Sequence, residues 1–153
     1  MAQSSGPQDQ SPDLRTAVDR EAIRDLVARY NANGDSGRFA QVRDLFAPDA
    51  VMTIEGDRTY SGIDQIMSIF SGTKSTTAGA LTHVRHFTAT HQIDLVDEQT
   101  ANGRLYFAVL TDIGLDHWGR YVDGYTKASG RWLFASRKVS VDGWASNTLF
   151  PRL

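Results

Sequence analysis

The chain has 153 residues, of which 41% are hydrophobic and 10% aromatic, so it is long enough to bury a sizeable core and short enough to form one domain. Sixteen basic and eighteen acidic residues give a net charge of −2 with no long basic run, which argues against a nucleic-acid partner. The lack of cysteine excludes disulfides, thiolate metal sites and a cysteine nucleophile, and no apolar run is long enough to span a membrane, so we expect a cytoplasmic protein without a membrane partner.

The amino-terminal part of the chain predicts a tail followed by a helix. Residues 1–12 are rich in Ser, Gln, Gly and Pro, which is typical of a disordered tail, and a single domain is predicted over residues 13–153. From residue 14 to about Gly34, apolar residues recur at helical spacing and charged residues fill the opposite face. The apolar stripe consists of Ile23, Leu26, Val27 and Tyr30.

Two shorter helices and one short strand are predicted next. The first of these helices covers residues 37–46 and ends before Pro48, and a strand follows at residues 50–55. The other helix covers residues 63–70, where Ile63, Ile66 and Phe70 share a face. The Ser, Thr and Gly run over residues 71–79 is predicted to be a loop.

The remainder of the chain predicts a meander of four long strands. They cover residues 81–96, 101–111, 118–127 and 131–142. Three helices followed by such a meander indicate an α+β domain with helices on one face of a curved antiparallel sheet. A bent sheet that is partly closed by helices leaves an internal pocket between the two layers.

Three histidines near the start of the meander, His83, His86 and His91, do not predict a metal site. On a regular strand His86 faces away from the other two. His83 and His91 are eight residues apart, which is roughly 26 Å along an extended chain. One strand cannot bring them to one ion, and no metal is predicted.

His86 belongs to the polar side of its predicted strand. It alternates with Thr88 and Thr90, whereas the other face carries Phe87, Ala89, Ile93 and Leu95. If the apolar side is the core, His86 is solvated. If the polar side lines the pocket, the apolar side packs elsewhere, on another subunit, and a homo-oligomer, dimer or trimer, is a corollary.

Further polar residues have two interpretations each. Asp35 is either a cap of the second helix or a carboxylate that orients a histidine. Tyr121, Asp123 and Tyr125 share one face of the third long strand. They form either a hydrogen-bonded network or a group that contacts the substrate. Arg137 pairs with a carboxylate such as Asp123 or holds an anionic group of a ligand.

Several common cofactor and nucleophile motifs are missing from the sequence. It has no Gly-rich phosphate loop, no dinucleotide fingerprint and no Gly-x-Ser-x-Gly elbow. We therefore expect no cofactor, and cofactor-free proton transfer is the chemistry that remains.

The order of short motifs along the chain resembles the SnoaL-like branch of the nuclear-transport-factor-2-like superfamily. The resemblance covers about residues 16–145. The motifs are Tyr-x-x-x-x-Asp at residues 30–35, Leu-Phe-Ala-x-Asp-Ala-Val at 45–51, Tyr-x-Gly at 60–62, Thr-His-x-x-His at 82–86, Gly-Arg-Tyr-x-Asp-x-Tyr at 119–125 and Gly-x-Trp-x-Phe-x-x-Arg at 130–137.

The resemblance implies a cone-shaped α+β fold with a deep apolar pocket. Relatives of this kind include scytalone dehydratase, bile acid dehydratase, hexachlorocyclohexane dehydrochlorinase, ketosteroid isomerase and polyketide cyclases. In the dehydratase-like members an Asp after the first helix pairs with a His on the first long strand, and these positions match Asp35 and His86. Tyr30 matches a pocket tyrosine of the bile acid dehydratase, and Arg137 matches a functional arginine of the dehydrochlorinase. Many relatives have Asn where Thr90 stands.

We therefore predict a cofactor-independent dehydratase or lyase acting on a small, apolar and cyclic substrate, such as a steroid or polyketide. A ketosteroid-type isomerase, a polyketide cyclase and a non-catalytic ligand-binding protein remain alternatives on the same scaffold. His83 is the alternative to His86 as the base. The predicted catalytic residues are His86, Asp35 and Tyr30, and the predicted substrate contacts are Tyr121, Asp123, Arg137 and His83.

Overall fold

The computed structural model describes residues 12–76 and 81–150, with side chains outside residues 72–76. The predicted tail lies outside the described residues up to residue 11, and the first helix begins at Pro12. The helices are α1 (Pro12–Asp35), α2 (Phe39–Arg43) and α3 (Ile63–Thr76). The strands are β1 (Phe46–Ile54), β2 (Thr59–Ser61), β3 (Arg85–Leu95), β4 (Thr100–Thr111), β5 (Gly114–Ala128) and β6 (Arg131–Trp144).

Helix α1 is the long helix that the apolar stripe predicts. Ile23, Leu26 and Val27 are buried, and the helix packs against β3 and β6. Each of these side chains contributes about 1.5–3 kcal/mol by leaving water. α3 packs on β1. We call the side of the sheet that these helices cover the inner face.

The six strands form one sheet in the order β2-β1-β6-β5-β4-β3. The meander from β3 to β6 is antiparallel, as predicted. β1, however, pairs with β6 in parallel, so the sheet is mixed and the prediction of a wholly antiparallel sheet was wrong. The α+β class with three helices on a curved sheet is confirmed.

Several predicted boundaries differ from the structure, and the third long strand, predicted from residue 118, begins at Gly114. α2 ends at Arg43, and Phe46 already belongs to β1. The three-residue strand β2 was not predicted. α3 continues to Thr76, so residues 71–76 of the predicted loop are helical, and residues 77–80 lie outside the described residues. Ser and Thr cost only a few tenths of a kcal/mol each once packing has fixed a helix.

A β-bulge in β3 changes which side chains face the helices. Ala89 pairs with Tyr106 and Gln92 pairs with Arg104, so Thr90 and His91 together oppose Leu105. Thr90 has a φ of 55°, in the left-handed region. The extra residue reverses the alternation after Ala89, because a bulge puts two residues opposite one.

Because of the bulge, the side chains of β3 point to other faces than those that regular alternation predicts. Phe87 is 58% exposed whereas Ile93 is 1% exposed, so the two do not share a face. His91, predicted to face away from His86, reaches Tyr125 on the inner face. The interpretation in which the Phe87 side is the core is therefore wrong, and the polar side around His86 faces inwards.

The described part of the chain contains no helix that is both long and apolar enough to cross a membrane. Within residues 12–76 and 81–150, no three His, Asp or Glu side chains are grouped so that they could hold a metal ion.

Candidate active site

The carboxyl end of α1 meets the beginning of β3 through Asp35 and His86. Asp35 Oδ2 accepts a hydrogen bond from the His86 backbone N–H at 2.8 Å, and Oδ1 lies 2.6 Å from His86 Nδ1. Because a carboxylate can only accept, the ring proton lies on Nδ1 and Nε2 is left as an acceptor. We call Asp35 and His86 the dyad.

The dyad is placed where a ligand can reach it. The Asp35 side chain is only 8% exposed, but the His86 ring is 27% exposed. No described residue forms a hydrogen bond with His86 Nε2. The interpretation of Asp35 as a helix cap is wrong, because Asp35 is the last residue of α1, and α2 begins after Arg38 without a side-chain cap.

A second polar group is centred on Arg137 of β6. Its Nε and Nη2 donate to the two oxygens of Asp123 at 2.8 and 2.7 Å, and both side chains are fully buried. The guanidinium lies over the rings of three aromatic residues, Tyr30, Tyr121 and Phe134, at 4.0–4.4 Å. We call these five residues the arginine cluster.

The guanidinium of Arg137 carries a permanent positive charge inside the arginine cluster. Burial acts against the charged guanidinium, but the charge and hydrogen bonds of Asp123 raise the pKa of Arg137 above its ordinary value. Arg137 Nη1 is buried without a hydrogen bond to any described residue. An unpaired buried N–H costs free energy, so this donor would gain from pairing with an oxygen that came within reach of it.

Two phenols of the arginine cluster, Tyr30 and Tyr121, are also influenced by the charge of Asp35 in the dyad. Burial raises the pKa of both Tyr30 and Tyr121, and the charges of Asp123 and Asp35 raise them further, while Arg137 lowers them. Both hydroxyls therefore keep their protons and can donate a hydrogen bond. Tyr30 packs edge-on against Phe46 and is partly buried against the core, in agreement with its place in the predicted apolar stripe.

The network interpretation of Asp123 agrees with the structure. Asp123 Oδ2 also accepts a hydrogen bond from the Tyr125 hydroxyl at 2.8 Å, and the Tyr125 oxygen lies 3.1 Å from His91 Nε2. Both carboxylate oxygens are thus engaged within the protein. A Cβ at Gly103 would lie 2.7 Å from the Tyr125 ring, so a glycine is needed there for the ring to reach Asp123.

His83 lies apart from these groups. It precedes β3, its side chain is exposed, and its Nδ1 is 3.8 Å from Asp112 Oδ1. The structure thus brings Asp35, His86, Tyr30, Tyr121, Asp123 and Arg137 to the inner face and leaves His83 near the edge of the sheet.

Sequence reasoning missed a second histidine–aspartate pair on the inner face. His117 Nδ1 lies 2.8 Å from Asp116 Oδ1, and both side chains are buried. The predicted strand began at residue 118, so both residues lay outside it, and neighbours on a regular strand would in any case point to opposite faces. A bulge unites them, because Val109 pairs with His117 and Leu110 with Leu115, leaving Asp116 as the extra residue.

An open groove of about 460 Å³ lies between α1, α2 and the start of β6. Its lining includes Arg29, Asp44 and Trp132, and it contains no residue of the dyad or the arginine cluster. This groove is therefore separate from the site that the sequence predicts.

Comparison with known proteins gives a family match and several structural neighbours. The family of SnoaL-like domains matches residues 15–138. No curated protein sequence matches this chain. A protein from Novosphingobium aromaticivorans assigned as a scytalone dehydratase is similar with a TM-score of 0.80 and 19% identity, over 92% of this chain and 93% of that chain.

Two further solved structures are similar to this chain. Hexachlorocyclohexane dehydrochlorinase LinA-type3 from Novosphingobium barchaimii has a TM-score of 0.75 and 19% identity, over 92% of this chain and 99% of that chain. A protein of unknown function with a cystatin-like fold from Nostoc punctiforme has a TM-score of 0.73 and 22% identity, over 82% of this chain and 92% of that chain. Similarity at these identities establishes the shared fold.

Proposed function

Because this chain belongs to the SnoaL-like domain family, we propose that it is a cofactor-independent lyase that removes water from a small, cyclic and mostly apolar ketone. The observation that carries the proposal is the geometry of the dyad. Asp35 fixes both the backbone and the ring of His86, and His86 Nε2 has no partner among the described residues. Two neighbours with a similar fold carry the names of a dehydratase and a dehydrochlorinase, both names for enzymes of elimination, which supports this reaction class.

The reaction needs one base that later acts as an acid. His86 Nε2 removes the proton from the carbon next to the ketone, and Asp35 stabilises the resulting imidazolium. The imidazolium then protonates the hydroxyl on the next carbon, the C–O bond breaks, and water leaves with a new C=C bond in the ring. Acid–base assistance of this kind contributes about 10² to 10⁴ in rate.

Tyr30 and Tyr121 supply the hydrogen bond for the enolate oxygen. Their pKa values are raised mainly by burial, so both hydroxyls stay protonated near neutral pH. A donor aimed at a developing oxyanion contributes about 3–4 kcal/mol. We assign Arg137 Nη1 a supporting role at the same oxygen, because this donor is buried and unpaired among the described residues.

The test uses 3-hydroxy-1-tetralone, a β-hydroxy ketone that gives 1-naphthol on loss of water. We expect naphthol fluorescence with the wild-type protein and a loss of at least about 100-fold for His86→Ala. His83→Ala is the matched control, and its rate should stay at the wild-type level because His83 lies apart from the dyad. Activity that survives in His86→Ala, or disappears in His83→Ala, contradicts the assignment of the base.

Proton exchange separates the alternatives. In heavy water, NMR follows deuterium entering the carbon next to the ketone of 1-tetralone and of a hydroxylated steroid. Exchange without loss of water from the hydroxyl-bearing probes favours an isomerase. A protein that binds these probes without exchange or product is a ligand-binding protein, and the lyase proposal is then wrong.

The outer face of the sheet supports the assembly of two or more copies. Four large apolar side chains on β3, β4 and β5 are exposed there: Phe87, Tyr106, Trp118 and Val122. We propose that a second copy covers them, since apolar groups gathered on one sheet face favour burial. Light scattering should show an oligomer that Tyr106→Glu dissociates, whereas Val96→Glu, at an exposed apolar residue beyond β3, leaves it intact.

A further inference from the structure

The second histidine–aspartate pair lies in the same row of the sheet as the dyad. His86 pairs with Val109 on β4, and Val109 pairs with His117 on β5. Side chains that are directly opposite on neighbouring strands project from the same face. Two strand spacings separate the Cα atoms of His86 and His117 by roughly 10 Å. Both imidazoles therefore belong to the inner face, one on each side of Val109.

Asp116 fixes the orientation and the tautomer of His117. Its carboxylate also accepts hydrogen bonds from the Thr148 hydroxyl at 2.5 Å and the Leu149 backbone N–H at 2.8 Å. A carboxylate with several donors stays charged, and these hydrogen bonds outweigh burial and lower the pKa of Asp116. His117 Nδ1 must therefore donate, which leaves Nε2 as an acceptor in the neutral ring.

Two aromatic side chains pack on the ring of His117. Trp144 stacks on the imidazole at 4.8 Å, and Phe150 contacts it edge-on at 4.8 Å. Nine per cent of the side chain remains exposed, and no described residue bonds Nε2. Burial lowers the pKa of His117, although the hydrogen bond and charge of Asp116 oppose this. The ring is neutral near pH 7.

We propose that His117 is a second substrate-contacting residue, which accepts a hydrogen bond from the hydroxyl that leaves in the elimination. The role of His117 in the elimination depends on the proposed function, whereas its hydrogen bond to a bound hydroxyl group does not. With its hydrogen directed to His117 Nε2, the hydroxyl oxygen presents a lone pair to the proton on His86. The departing water keeps this hydrogen bond, and no covalent bond to His117 forms or breaks.

The binding test compares two probes that differ by the hydroxyl group alone, 3-hydroxy-1-tetralone and 1-tetralone. Binding is measured by NMR titration in His86→Ala, so that the hydroxylated probe stays intact. We expect the hydroxylated probe to bind about 10-fold more tightly, the value of one well-formed hydrogen bond. In the double variant with His117→Phe, which keeps an aromatic ring against Trp144, the two probes should bind equally.

A second variant changes the tautomer and keeps the ring. In Asp116→Asn the amide donates to His117 Nδ1, so the ring proton moves to Nε2 and the acceptor is lost. The amide oxygen still accepts from the Leu149 N–H. Because a hydroxyl can also accept, it pairs with Nε2–H instead, and we expect the preference for the hydroxylated probe to be kept here, with the thermal unfolding temperature monitored in the same samples.

The outcomes separate this proposal from the lyase proposal. If the wild-type protein releases naphthol but the preference for the hydroxyl survives His117→Phe, His117 is structural and the inference is wrong. If there is no turnover but the preference depends on His117, the contact stands and the reaction is wrong. Equal binding of both probes, or no binding of either at millimolar concentration, overturns the inference.

Discussion

The dyad and the Asp123–Arg137 pair both join a carboxylate to a basic side chain, but they differ in their access to solvent. In the dyad the ring of His86 is partly exposed and one nitrogen has no partner among the described residues. Asp123 and Arg137 are fully buried, and both carboxylate oxygens are occupied. The comparison indicates that solvent or a ligand can reach the first pair, whereas the second pair is enclosed by the protein.

Removing one member of the buried pair should have the largest effect on stability. Arg137→Met leaves the Asp123 carboxylate buried without its counter-ion, and we expect the free energy of unfolding to fall by about 3–5 kcal/mol. Urea denaturation measures this loss. Arg137→Met combined with Asp123→Leu should recover part of it, because the uncompensated charge is gone. An unchanged midpoint in the single variant would remove the distinction between the two pairs.

Two histidines on the inner face, His91 and His117, should make the stability of the protein depend on pH. Burial lowers the pKa values of His91 and His117, so the folded protein binds fewer protons than the unfolded chain just below pH 6.5. The free energy of unfolding therefore has its full value above that pH and decreases as the pH drops below it. The decrease is no more than about 1.4 kcal/mol per pH unit for each histidine.

Urea denaturation at pH 7.5 and pH 5 tests this dependence. His91→Gln should reduce the loss of stability between the two pH values, and His83→Gln, at an exposed histidine, should not. Equal losses in wild type and His91→Gln would show that His91 does not contribute.

Removing the dyad histidine should cost far less stability than removing Arg137. His86→Ala keeps the backbone hydrogen bond to Asp35, and the ring is already partly hydrated, so we expect a loss of about 1 kcal/mol. The same urea experiment applies, and a loss as large as that of Arg137→Met would mean that the dyad is a structural pair.

The smallest effect is expected at the bulge that lies between the two pairs. Thr90 is β-branched and has a positive φ, whereas Asn tolerates that conformation better. Thr90→Asn should therefore raise the unfolding free energy by about 0.5–1 kcal/mol. Thr88→Asn, in the regular part of β3, is the matched control and should bring no gain.

Local periodicity predicted the long elements well. The helical stripe of α1 and the four strands of the meander depend on the pattern within each segment, which the sequence displays directly. The pairing of β1 with β6 could not be predicted in this way, because the two strands lie far apart along the chain and no local pattern encodes their relative direction. The mixed character of the sheet was therefore missed.

The site was predicted where it depends on motif order and missed where it depends on bulges. Asp35 and His86 were placed by the resemblance, and the structure brings them to 2.6 Å. His91 and His117 follow an extra residue in β3 and β5, respectively, and strict alternation placed His91 on the wrong side. Nothing in the residue types near Asp116 distinguishes a bulge from a regular strand, so the pair that includes His117 was not found.

The bulge in β3 also determines how this strand can change in length. Its extra residue lies outside the two-residue repeat, so the loss of one residue around position 90 can be absorbed by a regular strand that still directs His86, His91 and Ile93 towards the helices. A deletion elsewhere in the strand would shift the alternation, so that the side chains at one end of the strand would point to the opposite face of the sheet. We expect length variation among functional variants of β3 to concentrate at this position, with a straighter sheet as its consequence.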